Sequence, residues 1–305
     1  MIVKVLGSGA GGGVPQWNCN ARLSRMAWDG AGNVRPRTQS SIAVSAAPGR
    51  WVIVNASPDI RQQIWATPEL QPRRDGAKRN SPIKAVVLTN GDIDHIAGLL
   101  SLRERQPFSV YATERVLSIL RANSVFDVLA FDVVERVTLP LGQPIEIADT
   151  AGVTVEAFAV PGKIALYLED ASKRGFGTEP GDTIGLRIST PCTGAVAYIP
   201  GCAEVSEDVL HRVHGGDCLL FDGTVFTDTE LVDLGIVAKT GERMGHVAIT
   251  GDGGSLHAFD GCLVRRKIYI HINTTNPILE PGSAAEATVK EAGWEVACDG
   301  IQITV

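Results

Sequence analysis

An apolar run and the polar turn after it occupy residues 85–100, which read Ala85-Val86-Val87-Leu88-Thr89-Asn90-Gly91-Asp92-Ile93-Asp94-His95-Ile96-Ala97-Gly98-Leu99-Leu100. The run is typical of a buried strand, which we predict over Ala85–Thr89. Gly98 is predicted to open a helix that extends from about Leu99 to Arg105. Ligands of α/β proteins bind beyond the carboxyl ends of strands, where loops are free to converge. The turn after this strand is therefore the first candidate for a functional site.

Three side chains of this turn are of the metal-binding type, namely Asp92, Asp94 and His95. Together they offer two carboxylates and one imidazole, donors that suit Fe, Mn or Zn. The competing interpretation is a solvated turn in which Asp92 or Asp94 caps the following helix. The turn alone leaves both interpretations open.

Two further predicted strands end in residues of the same type. Asp222 follows an apolar run that begins at Cys218, and His271 ends a strand predicted over Lys267–His271. A lone histidine in an apolar run is more often a core residue than a ligand. Residues of metal-binding type at three strand ends are less easily explained by chance than a single one. We therefore predict that these groups form one metal site.

The rest of the chain alternates between β-type and helical segments. Further strands are predicted over Ile2–Leu6, Ser41–Ser45, Trp51–Asn55, Ser109–Ala112, Val153–Val160, Thr183–Ser189, Ala195–Ile199 and Cys218–Phe221, with helices over Glu114–Ala122, Ser206–Val213 and Gly282–Ala292. Trp294–Ala297 and Gln302–Val305 are predicted to form a hairpin-like pair. Two strand-rich halves with helices indicate an α/β fold in which two sheets pack face to face, an αββα sandwich.

Length and composition are typical of a globular enzyme, and we assign residues 1–305 to one domain. The net charge of −6 argues against nucleic acid as a partner and against a polybasic membrane anchor. No segment approaches the roughly 18 apolar residues that span a bilayer. The amino terminus has no signal-peptide pattern. We expect a cytoplasmic protein.

The six cysteines and the glycine-rich segment Gly7–Gly13 each invite an interpretation that we set aside. No two cysteines have C-x-x-C spacing, so buried reduced thiols are expected. The glycines fit G-x-G-x-x-G, but a dinucleotide site needs a helix next, and Val14-Pro15-Gln16-Trp17 is a poor helix start. We expect this loop to border the substrate pocket instead.

The order of the candidate ligands resembles the metallo-β-lactamase superfamily. Members have a Thr-His-x-His-x-Asp-His turn, a later histidine, a bridging aspartate and a final histidine. More narrowly, three motifs resemble the family of coenzyme PQQ biosynthesis protein B: Gly7-Ser8-Gly9-Ala10-Gly11-Gly12-Gly13-Val14-Pro15-Gln16-Trp17-Asn18-Cys19-Asn20, Met244-Gly245-His246-Val247-Ala248-Ile249-Thr250-Gly251 and His271-Ile272-Asn273-Thr274-Thr275-Asn276-Pro277. The resemblance runs from Met1 to the last helix.

The departures from the superfamily pattern concern its first metal position. Asn90 and Asp92 stand where the superfamily has two histidines, and Gly162 occupies the slot of the later histidine. The resemblance implies a complete second position, formed by Asp94, His95, Asp222 and His271. Many relatives also carry further cysteines near Cys19 that suggest a structural zinc, and this chain lacks them. We therefore predict a mononuclear centre and no cysteine-rich zinc site.

Two imidazoles and a carboxylate approach the ligand set of non-haem Fe(II) oxygenases, which keep positions open for O₂ and substrate. We predict Fe(II) held by His95, His271 and Asp94, with Asp222 as a fourth or occasional ligand and Zn²⁺ as an adventitious occupant. The family resemblance implies PQQ biosynthesis, through iron- and O₂-dependent hydroxylation of the tyrosine ring in a small molecule or dipeptide derived from Glu–Tyr.

The remaining site assignments concern catalysis and substrate binding. Asp92 is assigned as the general base for a phenolic proton. His246 contacts substrate or orients the metal ligands, with a loop-packing role as the alternative. We assign Gly11, Trp17 and Asn273 to substrate binding, with the glycine-loop amides facing an acidic group and the indole stacking on an aromatic ring.

Two other functions remain open at this point. One is a metal-dependent hydrolase typical of the wider superfamily, against which Asn90 and Gly162 speak. The other is a non-catalytic carrier of PQQ or its precursor, against which the retained ligand set speaks. The sequence does not fix the oligomeric state, and a homodimer is compatible with it.

Overall fold

The computed structural model describes residues 1–305 and contains fourteen strands. In chain order they are β1 (Ile2–Gly7), β2 (Ser41–Ala47), β3 (Arg50–Val54), β4 (Ile83–Val87), β5 (Phe108–Ala112), β6 (Val134–Thr138), β7 (Pro144–Glu146), β8 (Thr154–Ala159), β9 (Ile184–Thr190), β10 (Thr193–Ile199), β11 (Cys218–Asp222), β12 (Arg266–Ile270), β13 (Trp294–Val296) and β14 (Gln302–Thr304). Most residues of the central strands are buried, which is typical of strands in a sheet that is covered on both faces.

The helices are short. The eight α-helices are α1 (Arg22–Asp29), α2 (Ile60–Ala66), α3 (Ile93–Ile96), α4 (Glu114–Ala122), α5 (Glu207–Val213), α6 (Glu230–Asp233), α7 (Ser255–Ala258) and α8 (Ala284–Glu291). Seven 3₁₀-helices cover Pro68–Leu70, Ala97–Leu102, Ser124–Val128, Leu166–Leu168, Arg174–Gly177, Glu242–Met244 and Pro277–Leu279. Every helix falls short of the length and hydropathy that a membrane span requires.

The strands form two seven-stranded sheets. The first has the order β14-β1-β2-β3-β4-β5-β6 and the second the order β13-β12-β11-β10-β9-β8-β7. Between them lies an apolar core to which both sheets contribute, for example through Val87 and Leu220. Two more apolar clusters join the outer faces to helices, among them Val116 of α4 on the first sheet and Val289 of α8 on the second. This arrangement confirms the predicted αββα sandwich.

The predicted strands are all present, with bounds that differ by at most two residues. Two strands were not predicted, β6 and β7. β6 carries polar residues at three of its five positions in Val134–Thr138, and β7 is a three-residue edge strand that begins with Pro144. Proline is tolerated only at such edges, and it weakens the sequence signal for a strand.

The helix predicted from Leu99 to Arg105 is wrong in type and extent. A short α-helix begins at Ile93, and a 3₁₀-helix over Ala97–Leu102 follows it. Gly98 lies inside this 3₁₀-helix and opens no helix. A Cβ at Gly98 would lie 2.1 Å from the carbonyl oxygen of Ser57, so the glycine is needed for close backbone contact.

The predicted hairpin at the carboxyl terminus is also wrong. β13 pairs parallel to β12 in the second sheet, whereas β14 pairs antiparallel to β1 in the first. The chain crosses from one sheet to the other after Ala297, which belongs to the core between the sheets. Each of the two segments is the edge strand of a different sheet. Their closeness in the sequence therefore led to a wrong prediction that they pair with each other.

The six cysteines form no disulfide, in line with the reduced thiols predicted. Only Cys202 and Cys218 are buried, and Cys192 is exposed. Burial raises the pKa of the Cys202 thiol to about 12, which keeps it protonated and unreactive. The expectation that the cysteines are buried therefore holds for two of them.

Candidate metal centre

The turn after β4 brings an aspartate and a histidine to the edge of the first sheet. Asp92 stands at the amino terminus of α3, and the helix then carries Asp94 and His95. The Thr89 hydroxyl lies 3.3 Å from Nδ1 of His95 and is itself held by the side chain of Asn55. This contact engages one ring nitrogen of His95 and leaves Nε2 facing the site.

The parallel strands β11 and β12 supply the opposite side of the centre. Asp222 ends β11, and His271 follows β12 directly. Asp222 pairs in register with Ile270, the residue before His271. Asp222 and His271 therefore lie at the same edge of the second sheet, where the parallel strands end. His271 has a φ of 58°, an uncommon value for a residue other than glycine, and this turn directs its ring toward the first sheet.

Three donor atoms converge where these two edges meet. Oδ2 of Asp94 lies 3.2 Å from Nε2 of His271 and 3.6 Å from Nε2 of His95. Donors bound at tetrahedral angles to a metal at ordinary bond lengths lie about 3.4 Å apart. The spacing of these atoms therefore fits a bound metal ion.

Nε2 of His95 supplies a second test of fit. The atom is buried and has no hydrogen-bond partner. An unpaired buried polar atom is costly, and its presence calls for an explanation such as an ion. A metal held by Asp94, His95 and His271 satisfies this nitrogen, so the residues fit the group that the sequence predicts.

The charge states of Asp94 and His95 also suit a metal. Burial raises the pKa of Asp94, but the two histidines outweigh this effect and lower the pKa below its usual range. Burial lowers the pKa of His95. The carboxylate is thus ionised and this imidazole neutral, the forms in which both residues bind metals. For His271, the hydrogen bond and charge of Asp94 outweigh burial and raise the pKa.

Asp222 belongs to an adjoining hydrogen-bond network centred on Thr224. Its Oδ1 accepts from the Thr224 hydroxyl at 2.6 Å and from the Thr224 amide at 3.0 Å. Its Oδ2 accepts from the Cys202 amide at 2.9 Å and lies 2.7 Å from Nδ1 of His246. The Thr224 oxygen is in turn 2.8 Å from Nδ1 of His271. Asp222 is thus linked to the metal ligands through Thr224, and its predicted role as a fourth ligand stays a prediction.

His246 joins this network from a loop. Its ring stacks on His271, with 5.2 Å between centroids, and it also borders the cavity beside the ligands. The position agrees with the interpretation that His246 orients metal ligands or contacts substrate. Thr224 itself was not predicted, although its place two residues after strand-end Asp222 is a usable signal.

A cavity of about 720 Å³ opens in front of the converging donors. Its lining includes four predicted site residues outside the metal triad, Gly11, Asp92, His246 and Asn273, and also Asn90. The Gly11 amide donates to no protein acceptor, whereas its neighbours Gly12 and Gly13 do. The glycine loop therefore borders the pocket, as expected.

Trp17 does not join these residues. Its side chain is 83% exposed and does not line the cavity. Gln16, the residue before it, lines the cavity instead. The geometry gives no support to a stacking role for Trp17.

The residues that stand at the superfamily's first metal position make contacts within the protein. A Cβ at Gly162 would lie 2.7 Å from the Thr183 side chain, so a histidine has no room there. Asn90 accepts a hydrogen bond from the Asp92 amide, and the Asp92 carboxylate accepts one from the Leu166 amide. These residues stabilise the turn. Two groups of possible metal ligands remain, and they share His271: one is Asp94, His95 and His271, the other Asp222, His246 and His271.

Comparison with known proteins gives matches along the whole chain. The sequence profile of the Beta-lactamase superfamily domain matches residues 50–272. A coenzyme PQQ synthesis protein B from Methylorubrum extorquens is 50% identical over 303 residues, which cover 99% of each chain. A protein of that name from Xanthomonas campestris pv. campestris is 48% identical over 305 residues, with full coverage of both chains.

A solved structure is also similar to this chain over its full length. It is the crystal structure of Zn²⁺-bound PqqB from Methylobacterium extorquens, with a TM-score of 0.95, 50% sequence identity and full coverage of both chains. The likeness thus includes the strand ends and loops that build the site described above.

Proposed function

Since the chain belongs to the coenzyme PQQ synthesis protein B family of the Beta-lactamase superfamily, we propose that it catalyses an iron- and O₂-dependent step of PQQ biosynthesis. The step is hydroxylation of the tyrosine ring in a small molecule or dipeptide derived from Glu–Tyr. One atom of O₂ enters a ring C–H bond, and the other leaves as water with two electrons and two protons from an external reductant. The family's part in PQQ synthesis is given by its name. The reaction is what the resemblance to this family implies, and the donor set of the site is compatible with it.

The observation that carries this proposal is the group of two imidazoles and one carboxylate that converges at the cavity and contains the unpaired Nε2 of His95. Asp94, His95 and His271 would hold the metal, and the unpaired Nε2 of His95 supports this. The donor set is that of non-haem Fe(II) oxygenases, and a bound Fe(II) supplies O₂ activation in such sites. Zn²⁺ suits the same ligands, which is consistent with Zn²⁺ in the similar crystal structure.

The surrounding residues have distinct proposed roles. Asp92 borders the cavity two residues before Asp94, where its carboxylate can accept a phenolic proton from the substrate. Thr224 contacts Nδ1 of His271 and so orients the ring, with Asp222 and His246 holding the threonine in place. The free amide of Gly11 can donate to an acidic substrate group.

Two alternatives receive less support. A dizinc hydrolase uses two ions to share a nucleophilic hydroxide, and the contacts of Gly162 and Asn90 speak against a second ion. A carrier of PQQ or its precursor has no need of a redox metal, so the ligand group speaks against it. A cytoplasmic location, a single domain and a homodimer stay predictions.

The proposal is tested by anaerobic reconstitution of the protein with Fe(II), addition of a Glu–Tyr dipeptide, O₂ and an external two-electron reductant such as ascorbate, and mass spectrometry of the dipeptide. We expect O₂-dependent oxidation of the tyrosine ring, absent with Zn²⁺ and in the His271→Ala variant. Tight binding without turnover under any metal would favour the carrier. Hydrolysis of a phosphodiester or lactam by the zinc-loaded protein would favour the hydrolase.

A further inference from the structure

Basic side chains line one wall of the metal cavity, and we propose that Lys163 and Lys239 form the subsite for the carboxylates of the substrate. The inference rests on the proposed function, because it names how that reaction's acidic substrate is held. It concerns neither the metal ligands nor the residues already assigned to substrate binding. The chain as a whole carries a net charge of −6, whereas the lysines on this wall of the cavity are positively charged.

The ammonium groups of both lysines keep their hydrogen-bond donors free. The Lys163 ammonium lies 3.7 Å from the nearest Asp92 oxygen, and the Lys239 ammonium lies 3.8 Å from the nearest Glu169 oxygen. Both distances exceed those of a hydrogen bond. Each lysine can therefore donate to an incoming carboxylate without breaking a hydrogen bond within the protein.

Glu169 does not neutralise the lysines, because it is already paired with Arg243. The guanidinium of Arg243 donates to both Glu169 oxygens, at 2.7 and 3.2 Å, and lies 3.7 Å above the Phe176 ring. This two-point ion pair is the geometry in which arginine and a carboxylate bind best. It links the loop of Lys239 to the loop of Lys163, and it engages Glu169 so that neither lysine is hydrogen-bonded to this carboxylate.

Lys163 is held in place by its surroundings. Its carbonyl oxygen accepts a hydrogen bond from the Thr183 hydroxyl at 2.9 Å. Its aliphatic stem packs on Gly245, where an added Cβ would lie 3.0 Å from the lysine Cγ. Gly245 has a φ of 88°, which glycine adopts readily. This contact gives the glycine of the Met244-Gly245-His246 motif a role in positioning Lys163, whose side chain is 21% exposed.

The chemistry of the substrate fits two ammonium groups beside the metal ligands. A Glu–Tyr compound carries a carboxylate on the glutamate side chain and another at its carboxyl terminus, both apart from the phenol. Lys163 lies next to Asp92, two residues before the ligand Asp94. Carboxylates held by the lysines thus leave the ring to face the metal site, through hydrogen bonds strengthened by charge.

Binding measurements on the full-length, zinc-loaded protein test this proposal without turnover. The variants are Lys163→Met, Lys239→Met and the double variant, with Lys78→Met as a control that removes an exposed lysine outside the cavity. Calorimetry gives the Kd of Glu–Tyr and of Gln–Tyr amide, in which carboxamides replace both carboxylates. We expect about tenfold weaker Glu–Tyr binding for each single variant and about a hundredfold for the double variant. The amide is expected to bind equally weakly to all proteins.

Unchanged affinity for Glu–Tyr in the double variant, or no Glu–Tyr binding by the unaltered protein, would overturn the subsite. Lys239 is 41% exposed, so its variant tests the proposal even where Lys163→Met fails to fold. The two proposals fail separately. Oxidation of Glu–Tyr without lysine dependence refutes only the subsite, whereas lysine-dependent binding without oxidation refutes only the oxygenase reaction.

Discussion

Nε2 of His271 lies 3.2 Å from Oδ2 of Asp94, although 177 positions separate the two residues in the chain. Asp94 belongs to the turn after β4 in the first sheet, and His271 follows β12 in the second. The candidate metal centre therefore exists only where the two sheets pack against each other. Because the ligands come from both sheets, a bound metal would also stabilise the packed state.

Loss of a ligand is expected to abolish tight metal binding. Asp94→Ala and His271→Ala each remove one of three converging donors, so we expect at least about a hundredfold weaker Fe(II) binding, beyond the usual effect of an outer partner. The measurement is metal content after anaerobic loading and gel filtration. His211→Ala, at an exposed position of α5, is the matched control and should retain the metal. Stoichiometric iron in Asp94→Ala would refute the ligand assignment.

Thr224 is expected to act through His271. Thr224→Val keeps the side-chain shape but removes the hydroxyl that lies 2.8 Å from Nδ1 of His271. We expect metal affinity to fall by about 10- to 100-fold, as for other partners of ligating histidines, and Thr224→Ser to restore it. Thr288→Val, on the exposed face of α8, controls for loss of a hydroxyl. Equal metal affinity in Thr224→Val and the native protein would show that Thr224 does not position the ligand.

Gly98 is expected to be required for stability. A Cβ at this position would lie 2.1 Å from the Ser57 carbonyl oxygen, and the glycine amide donates to Ala56 at 2.8 Å. We expect Gly98→Ala to lower the free energy of unfolding by about 2 kcal/mol or more, because backbone must move. Urea denaturation measures this, with Ser101→Ala in the same 3₁₀-helix as control. Equal stability of the two variants would mean that the turn adapts without cost.

Buried Glu230 is expected to make stability depend on pH. Burial raises the pKa of its carboxyl group, against the hydrogen bonds from Thr275 and the Phe226 amide. A raised pKa in the folded state means that this group's contribution to stability falls as pH rises from the unfolded pKa through the folded one.

Glu230→Gln removes that titration. The stability of the variant relative to the native protein should therefore increase as pH rises from 4 to about 7. Urea denaturation across this range measures the difference. A stability difference that is constant with pH would contradict the assigned shift.

The strand ends could be predicted because their signal is local. An apolar run followed by Asp94 and His95, or by Asp222, marks both a buried strand and the polar edge where it stops. Since the fold brings such edges together, the candidate ligands could be predicted from their residue type and their position at strand ends. The short edge strands β6 and β7, with little apolar character, gave no comparable signal.

The cavity walls could not be predicted in the same way. Lys163, Lys239 and Arg243 lie in irregular loops, where charged residues are common and carry no periodic pattern. Only the packing of Lys163 on Gly245 and the pairing of Arg243 with Glu169 distinguish them from solvated side chains. Trp17 shows the converse, because an aromatic residue in a conspicuous motif lies exposed and outside the cavity.

The most direct test of the proposed reaction is isotope incorporation. The Fe(II)-loaded protein would be mixed with Glu–Tyr and an external two-electron reductant under isotopically heavy O₂, and the products would be analysed by mass spectrometry beside the His271→Ala variant. We predict heavy oxygen on the tyrosine ring with the native protein only. A ring that gains no heavy oxygen, or gains it equally with the variant, would contradict the assignment of this site as an iron-dependent oxygenase.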